Sequence, residues 1–423
     1  MSESLQFLTL PPELILACLM HLSYMDLISC MKTRNRLLHN IIANSILIRY
    51  RLEQESASVE ENPAGAGNSV IADRLADLRR REEDWLNFTP RSRHTLLIDF
   101  ATTGVYDLAS DIYLVGDAPD PNTSLSTAIK YIYTSPSVEA PQWHSVTAGK
   151  PIIDFGTALE EHDLIAMVTY TPHQGNPHLM SIDVLLLKFS TGHPHPLATH
   201  PTLHIQDVSL DVGRPGITIE IVGQNLAISL VYWNDEGREL DTLHIYNWNS
   251  GLPKMAPIDV NNTTGLVFLT MDTLVVPNSF EGSLDVYHIP TSESGGLPRF
   301  LHSFYLPLLT PDHTLISFRC RGEPNPRAGR IRPSRTKFLP RPDTALILFT
   351  FEVGSSADEV TAHMFVVDRA VFTHALAVCN RDIPGVGWAA WGPPCTRWFD
   401  AAALSPHYIT TTCGMRLASI AHD

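Results

Sequence analysis

Asp183-Val184-Leu185-Leu186-Leu187-Lys188-Phe189-Ser190-Thr191-Gly192 returns later in the chain as Asp241-Thr242-Leu243-His244-Ile245-Tyr246-Asn247-Trp248-Asn249-Ser250-Gly251. Each is a β-prone apolar run closed by a glycine turn signal. Leu284-Asp285-Val286-Tyr287-His288-Ile289, followed by Gly295-Gly296, is a looser third copy. Ahead of these stretches a second element recurs, an Asp or Asn leading into an apolar strand: Asp111-Ile112-Tyr113-Leu114-Val115, Asp163-Leu164-Ile165-Ala166, Asn225-Leu226-Ala227-Ile228 and Asp272-Thr273-Leu274-Val275. The spacing is roughly 50 to 60 residues, near but mostly longer than the blade of a four-stranded propeller.

Outward from these copies, short β-prone runs alternate with turn clusters from Arg93 onward. They fall at 94–100, 111–115, 129–133, 164–170, 184–189, 217–222, 226–232, 243–248, 265–269, 274–276, 284–289, 345–352 and 363–367. The 31 prolines and 24 glycines supply the turns between them. An open sheet of this size exposes aggregation-prone edges, whereas a closed ring of blades protects them. The expectation for 91–423 is therefore a degenerate β-propeller of WD type, with a two-sheet β-sandwich as the alternative. The stretch Pro307 to Pro342, basic and proline-rich, reads as a long insertion, and the blade count stays open.

The N-terminus has a different period. Leu14, Ile15, Cys18, Leu19 and Leu22 fall on one helical face. Pro11 and Pro12 sit where a first turn needs no N–H, and Glu13 favours the positive end of the helix dipole. Ser23 and Asp26 resemble a capping box leading into Leu27, Ile28, Cys30 and Met31. Leu37, Leu38, Ile41 and Ile42 form a third stripe, continued over Ser45 to Glu53. Pattern alone predicts a small three-helix module over 1–53, giving an α+β multidomain chain. Gln54 to Asn68 is polar and rich in Gly, Ala and Ser, so 54–70 reads as a flexible linker. Ile71 to Leu86 then reads as an amphipathic helix with mixed charges on its wet face, a bridging helix over 71–90.

Leu10-Pro11-Pro12-Glu13-Leu14-Ile15, with Leu19, Leu22, Asp26-Leu27 and Cys30, resembles the F-box motif. The continuation through Thr33, Arg36, Leu37, Ile41-Ile42, Ser45 and Leu47 to Glu53 is similar to the F-box proteins abundant in basidiomycete, mushroom-forming fungi. Asn35-Arg36 stands where that family has a Cys-Arg pair. Arg74-Leu75, Leu78, Arg81 and Trp85 resemble the helix that follows the F-box there. Trp388, Trp391-Gly392-Pro393, Thr396-Arg397-Trp398-Phe399 and Cys413-Gly414 with Arg416 look like its W-G-P-x-x-T-R-W-F signature. From the residues alone, that signature reads as aromatic packing rather than ligand contact.

The resemblance implies function by docking. An F-box binds the Skp adaptor, which bridges it to a cullin and a RING ligase, so the chain is expected to be a substrate-recognition adaptor of an SCF ubiquitin ligase complex. It would serve ubiquitin-dependent protein degradation by protein binding, without enzyme activity of its own. The expected Skp contacts are Leu10, Pro11, Pro12, Glu13, Leu14, Ile15, Leu19, Leu22, Asp26 and Leu27. For any single apolar member a place in the module's own core is an equal alternative. Two rivals remain: a non-ligase scaffold with a vestigial F-box, and a propeller-fold hydrolase or metal-dependent enzyme, which needs convergent acid, base or ligand residues in the central channel.

A formal charge of −15 argues against nucleic acid or an anionic membrane as partner. No apolar run reaches membrane-spanning length, and Met1 to Leu10 lacks the basic lead of a signal peptide. Six scattered cysteines without a CxxC pair fit reduced thiols in an intracellular setting, cytoplasm or nucleus. His193, His195, His200 and His204 have no accompanying Cys or carboxylate set at ligand spacing and read as a polar loop. No nucleophile elbow or phosphate-binding loop occurs, so no cofactor or metal is expected. Glu160, Glu161 and Asp163 read as solvated turn carboxylates. The client protein is not legible in the sequence.

Overall fold

Polar caps and prolines decide where the N-terminal helices begin. In the computed structural model the described residues are 7–62, 65, 69–90, 93, 95–109, 111–117, 124–134, 142–232, 241–260, 263–293, 295–328, 336–357, 359–378, 385–401 and 412–418. Helix α1 (Pro12–Leu19) opens on Pro11 and Pro12, which lack an N–H to satisfy. The Ser23 hydroxyl accepts from Asp26 N at 3.2 Å and opens α2 (Tyr24–Lys32). Asn35 accepts from Leu37 N and Leu38 N at 3.0 and 3.1 Å and opens α3 (Arg36–Asn44).

The expected three-helix module has four helices. Ser45 is extended, splits the third stripe, and accepts from Ile48 N at 3.3 Å to open α4 (Ile46–Ser56). Ile15, Leu19, Leu27, Ile42 and Ile48 make the core of these helices. The Arg51 guanidinium donates to Leu22 O at 2.7 Å, just past the end of α1, where its charge suits exposed carbonyls.

The chain divides into two units, Met1–Thr95 with Pro333–Pro340, and Leu96–Arg332 with Arg341–Asp423. The β region is therefore not continuous over 91–423, and the bridging helix α5 (Ile71–Leu86) belongs with the helices. The polar stretch 54–70 is not simply a linker either. Helix α4 runs on to Ser56, and β1 (Val59–Glu61) pairs antiparallel with residues 338–340. Val59 is buried with Tyr50, Leu75, Leu78 and Phe338. The local sequence is too polar to signal this strand because its partner lies far downstream. Residues 63, 64 and 66–68 of the expected linker lie outside the described residues.

The second unit is mostly β, in several antiparallel sheets. β2 (Thr102–Ala109), β3 (Ile112–Asp117), β4 (Ser126–Tyr133), β5 (His144–Ala158), β6 (Leu164–Pro172), β7 (Leu179–Lys188) and β8 (Thr202–Ser209) form one seven-stranded sheet. The short helix α6 (Leu159–His162) joins β5 to β6. β9 (Gly216–Val222), β10 (Asn225–Val231), β11 (Thr242–Asn247) and β12 (Ile258–Asp259) form the next sheet. After the two-residue β13 (Thr263–Thr264) come β14 (Val267–Thr270), β15 (Thr273–Asn278), β16 (Ser283–His288) and β17 (Arg299–Tyr305). The last sheet holds β18 (His313–Arg321), then, beyond β19 (Phe338–Pro340) of the helical unit, β20 (Leu346–Ser355), β21 (Val360–Asp368) and β23 (Thr396–Asp400). Helices α7 (Arg369–Val378) and α8 (Trp388–Cys395), with the short β22 (Gly385–Val386) between them, precede β23.

The recurrence in the sequence is a recurrence of hydrogen bonds. Five hairpins, β3–β4, β6–β7, β10–β11, β15–β16 and β20–β21, are closed the same way: the N–H just after the second strand donates to the carbonyl just before the first. The pairs are Thr134 to Asp111 at 2.7 Å, Phe189 to Asp163 at 2.7 Å, Trp248 to Gln224 at 3.1 Å, Ile289 to Asp272 at 2.7 Å, and Arg369 to Ala345 at 2.9 Å. The two long copies also match bond for bond. Lys188 N donates to His193 O and Asn247 N to Leu252 O, at 2.8 and 2.9 Å. Gly192 and Gly251, both with left-handed φ (70° and 79°), end the two turns, a conformation costly for any residue with a Cβ.

Two sequence expectations fail here. Residues 95–100 form no strand, and 94 lies outside the described residues. The supposed insertion between Pro307 and Pro342 contains β18, a full strand of the last sheet, whose His, Ser and Arg residues mask its alternation.

Candidate functional site

The ten residues expected to meet an adaptor separate into two groups. Ile15, Leu19 and Leu27 are fully buried in the helical unit's own core, and Leu10 and Leu22 are half-buried against it. Pro11, Pro12, Glu13, Leu14 and Asp26 are exposed, Leu14 at 52%. Phe7, Leu8, Met25, Leu37, Ile46 and Leu47 are exposed as well, none of which was among the ten expected contacts. The first core of the helical unit consists of five fully buried aliphatic side chains, and the same stretch, 7–48, leaves these seven large apolar ones in water, with Val70, Trp85, Leu86 and Phe88 exposed further along the unit. Where such side chains form one contiguous patch, they mark an interaction surface.

A second constellation, unforeseen from the sequence, lies in the β unit. The strand ahead of four of the five hairpins brings one ionisable side chain into a shared electrostatic cluster: Asp107 on β2, Asp154 on β5, Glu220 on β9 and Arg321 on β18. Glu323, just past β18, and Arg369, at the start of α7, join them. The carboxylates and Arg321 keep partial exposure, whereas Arg369 has none.

Burial is the main force that lifts the Asp154 carboxyl to about 7. The Phe155 N–H at 2.8 Å and the Arg321 charge pull it down, and negative Asp107 and Glu220 push it further up. Burial also raises Glu220, against Arg321 and the Asn325 amide that donates to it at 2.5 Å. Glu323 is raised by burial and then by Glu220 and Asp107. Burial lowers Arg369 to about 10, while Glu323 and Glu220 favour its charge. At neutral pH the cluster therefore shares protons among carboxylates beside two guanidinium groups. Among the described residues no group of three or more His, Cys, Asp or Glu is arranged to hold a metal ion.

The turn carboxylates are not solvated as expected. Asp163 is buried and accepts from Ser190 N and Ser190 Oγ at 2.9 and 2.5 Å. Glu161 accepts from Gly223 N and Ala328 N at 3.3 and 3.0 Å, and Glu160 pairs with Arg327 at 3.6 Å. The histidines read as a polar loop do not all lie in one: His195 is buried edge-on against Trp248, with a ring nitrogen 3.0 Å from His162 O, and His204 lies on β8 and bonds Asp183 at 3.0 Å.

The C-terminal signature packs. Trp391 is buried and donates to Tyr305 O at 2.9 Å, and Trp388 meets the rings of Trp391 and Trp398 at 5.2 and 5.8 Å. Arg397 lies 5.9 Å from the Phe399 ring centre. Gly392 leaves room for the Trp388 ring. Cys18, Cys30, Cys320 and Cys395 are free thiols, while Cys379 lies outside the described residues. Among the described residues no helix is long and apolar enough to cross a membrane.

No protein-family model matches this chain, and no curated protein does. Several solved structures are weakly similar. Hsv2 of Kluyveromyces lactis covers 52% of this chain and 66% of its own at 12% identity, with a TM-score of 0.34. A protein from Lactobacillus plantarum covers 74% of this chain and 93% of its own at 11% identity and a TM-score of 0.35. The WD40 domain of SCAP from fission yeast covers 61% of this chain and 53% of its own at 9% identity and a TM-score of 0.28. These scores are low, and the β architecture rests on the strand pairings described above.

Proposed function

We propose that this chain is a docking adaptor. Its helical unit binds a Skp-type adaptor, and through it a cullin and a RING ligase, while the β unit, a degenerate five-bladed propeller, receives a client protein. The observation that carries the reading is the exposure of Leu14, between Pro11-Pro12-Glu13 and the buried Ile15, together with the apolar side chains of Phe7, Leu8, Met25, Leu37, Ile46 and Leu47. Burying a leucine of this kind on a partner contributes about 1.5–3 kcal/mol. The propeller reading is supported by five hairpins closed by the same hydrogen bond and by the meeting of the strands ahead of four of them at one ionisable cluster.

A second reading, a hydrolase working at Asp154, Glu220 and Glu323, draws on their raised proton affinities, as general acids require. Arg321, Arg369 and Asn325 give the same carboxyls structural partners, which favours the adaptor.

The test is co-purification of the full chain with a Skp-type adaptor. Leu14→Asp is expected to weaken capture at least tenfold while the β unit's thermal transition stays in place. Ile15→Asp should instead unfold the helical unit, because its side chain has no water contact. Full capture by Leu14→Asp overturns the reading. A cullin recovered with the adaptor separates a ligase subunit from a non-ligase scaffold.

A further inference from the structure

We propose that Arg369 is the clasp of an arm by which the β unit's sequence completes the helical unit. In the other four hairpins the position after the second strand holds Thr134, Phe189, Trp248 or Ile289, the last three buried and uncharged. Arg369 keeps the shared backbone bond there but sends a fully buried guanidinium elsewhere. Its Nη1 donates to Pro324 O at 2.7 Å and to Pro342 O at 2.6 Å, and its Nη2 to Gly322 O at 3.2 Å.

Those carbonyls bracket an excursion. Gly322 and Pro324 precede, and Pro342 follows, the stretch Pro333–Pro340 that belongs to the helical unit. One planar fork thus ties the departing chain to the returning chain. A lysine ammonium lacks the span and fixed directions for three such bonds. The departing foot is pinned again where Asn325 donates to Glu220 and Arg327 pairs with Glu160. At the tip, β19 pairs with β1 in the register Val59 to Pro340 and Glu61 to Phe338, and Asn62 Nδ2 donates to Thr336 O at 2.7 Å. Phe338 enters the core that seats α4 and α5 through Tyr50, Leu75 and Leu78.

Holding both feet shortens the loop that must be closed to place the tip, which lowers the entropic cost of the β1–β19 pair. The helical unit consequently does not complete its second core from its own N-terminal sequence. Arg369, distant from it in sequence, acts on it as a positioning residue. This inference is independent of the adaptor reading, because it concerns order within the chain and not the partner.

Hydrogen exchange of the full chain, resolved by segment, tests it. Arg369→Met is expected to speed exchange at least tenfold at 336–340 and 59–61, while 164–188 keeps its parental rate. Arg369→Lys, which keeps the charge but not the fork, should behave like Met. Phe338→Ser should speed exchange at 59–61 and 71–86 while 322–328 stays protected. Parental rates at 336–340 in Arg369→Met overturn the proposal. Should that variant not fold, parental rates at 59–61 and 71–86 in Phe338→Ser overturn it.

Discussion

Replacing Asp154 by Asn should make the β unit more stable in alkaline than in acidic solution, relative to the parent. The Asp154 carboxyl moves from an ordinary 3.8 to about 7 on folding, chiefly through burial. Between those values the folded state binds the proton and the unfolded state does not, so stability falls as pH rises through this window and the full cost is felt above about 7. Three units correspond to at most about 4 kcal/mol. Because the side chain keeps partial exposure, solvent screening reduces this to about 2 kcal/mol. Asparagine keeps an oxygen for the Phe155 N–H and removes only the charge. Urea unfolding followed by tryptophan fluorescence, to which the fully buried Trp248 contributes, reads the difference. The variant should gain about 2 kcal/mol at pH 8, or roughly 4 °C in Tm, and only a few tenths of a kcal/mol at pH 4. Comparing variant with parent at each pH cancels the other titrating groups to first order. Equal stability of the two proteins at pH 8, or a gain of the same size at pH 4, would refute the assignment of Asp154 as a buried, proton-binding carboxyl.

Two smaller substitutions probe local packing. Gly392→Ala places a Cβ 2.3 Å from the Trp388 ring and should cost the β unit about 1–3 kcal/mol by overpacking, read as a lower urea midpoint at unchanged m-value. Asn35→Ala removes the acceptor for Leu37 N and Leu38 N and should cost the helical unit about 1 kcal/mol, seen as faster exchange confined to 36–44.

What the sequence reveals follows the solvent environment of each strand. The central strands of the hairpins, such as β6, β10 and β15, are buried on both faces and read as unbroken apolar runs. Their hairpin partners β4, β7, β11, β16 and β21 were also legible, whereas three of the strands that precede the hairpins were passed over. β2, β5 and β18 carry Asp107, Asp154 and Arg321 toward the ionisable cluster, and such residues interrupt the alternation that marks a strand. The fifth hairpin also escaped notice as a repeat, because Ala345 and Leu346 stand where Asp111, Asp163 and Asp272 signal three of the others and Gln224-Asn225 the fourth. The helical unit was legible from its caps, but not the break at Ser45. No local feature could divide Leu14 from Ile15, since one step along a helix turns a side chain by about 100° from core to water. The β1–β19 pair was invisible for a simpler reason: a lone valine followed by two glutamates becomes a strand only when a partner arrives from far downstream in the chain.

β5 has one more consequence. It bonds to β4 over 144–147 and again at Ile152, and to β6 from Ile152 to Ala158, so Ile152 pairs on both sides, and Gly149 lies just before it at a φ of 69°. The first two hairpins are thereby welded through a continuous backbone with no loop to cut. A circular permutant or fragment with its ends near residue 150 would open both halves at once, so dissection of this protein belongs at the turns beyond β8.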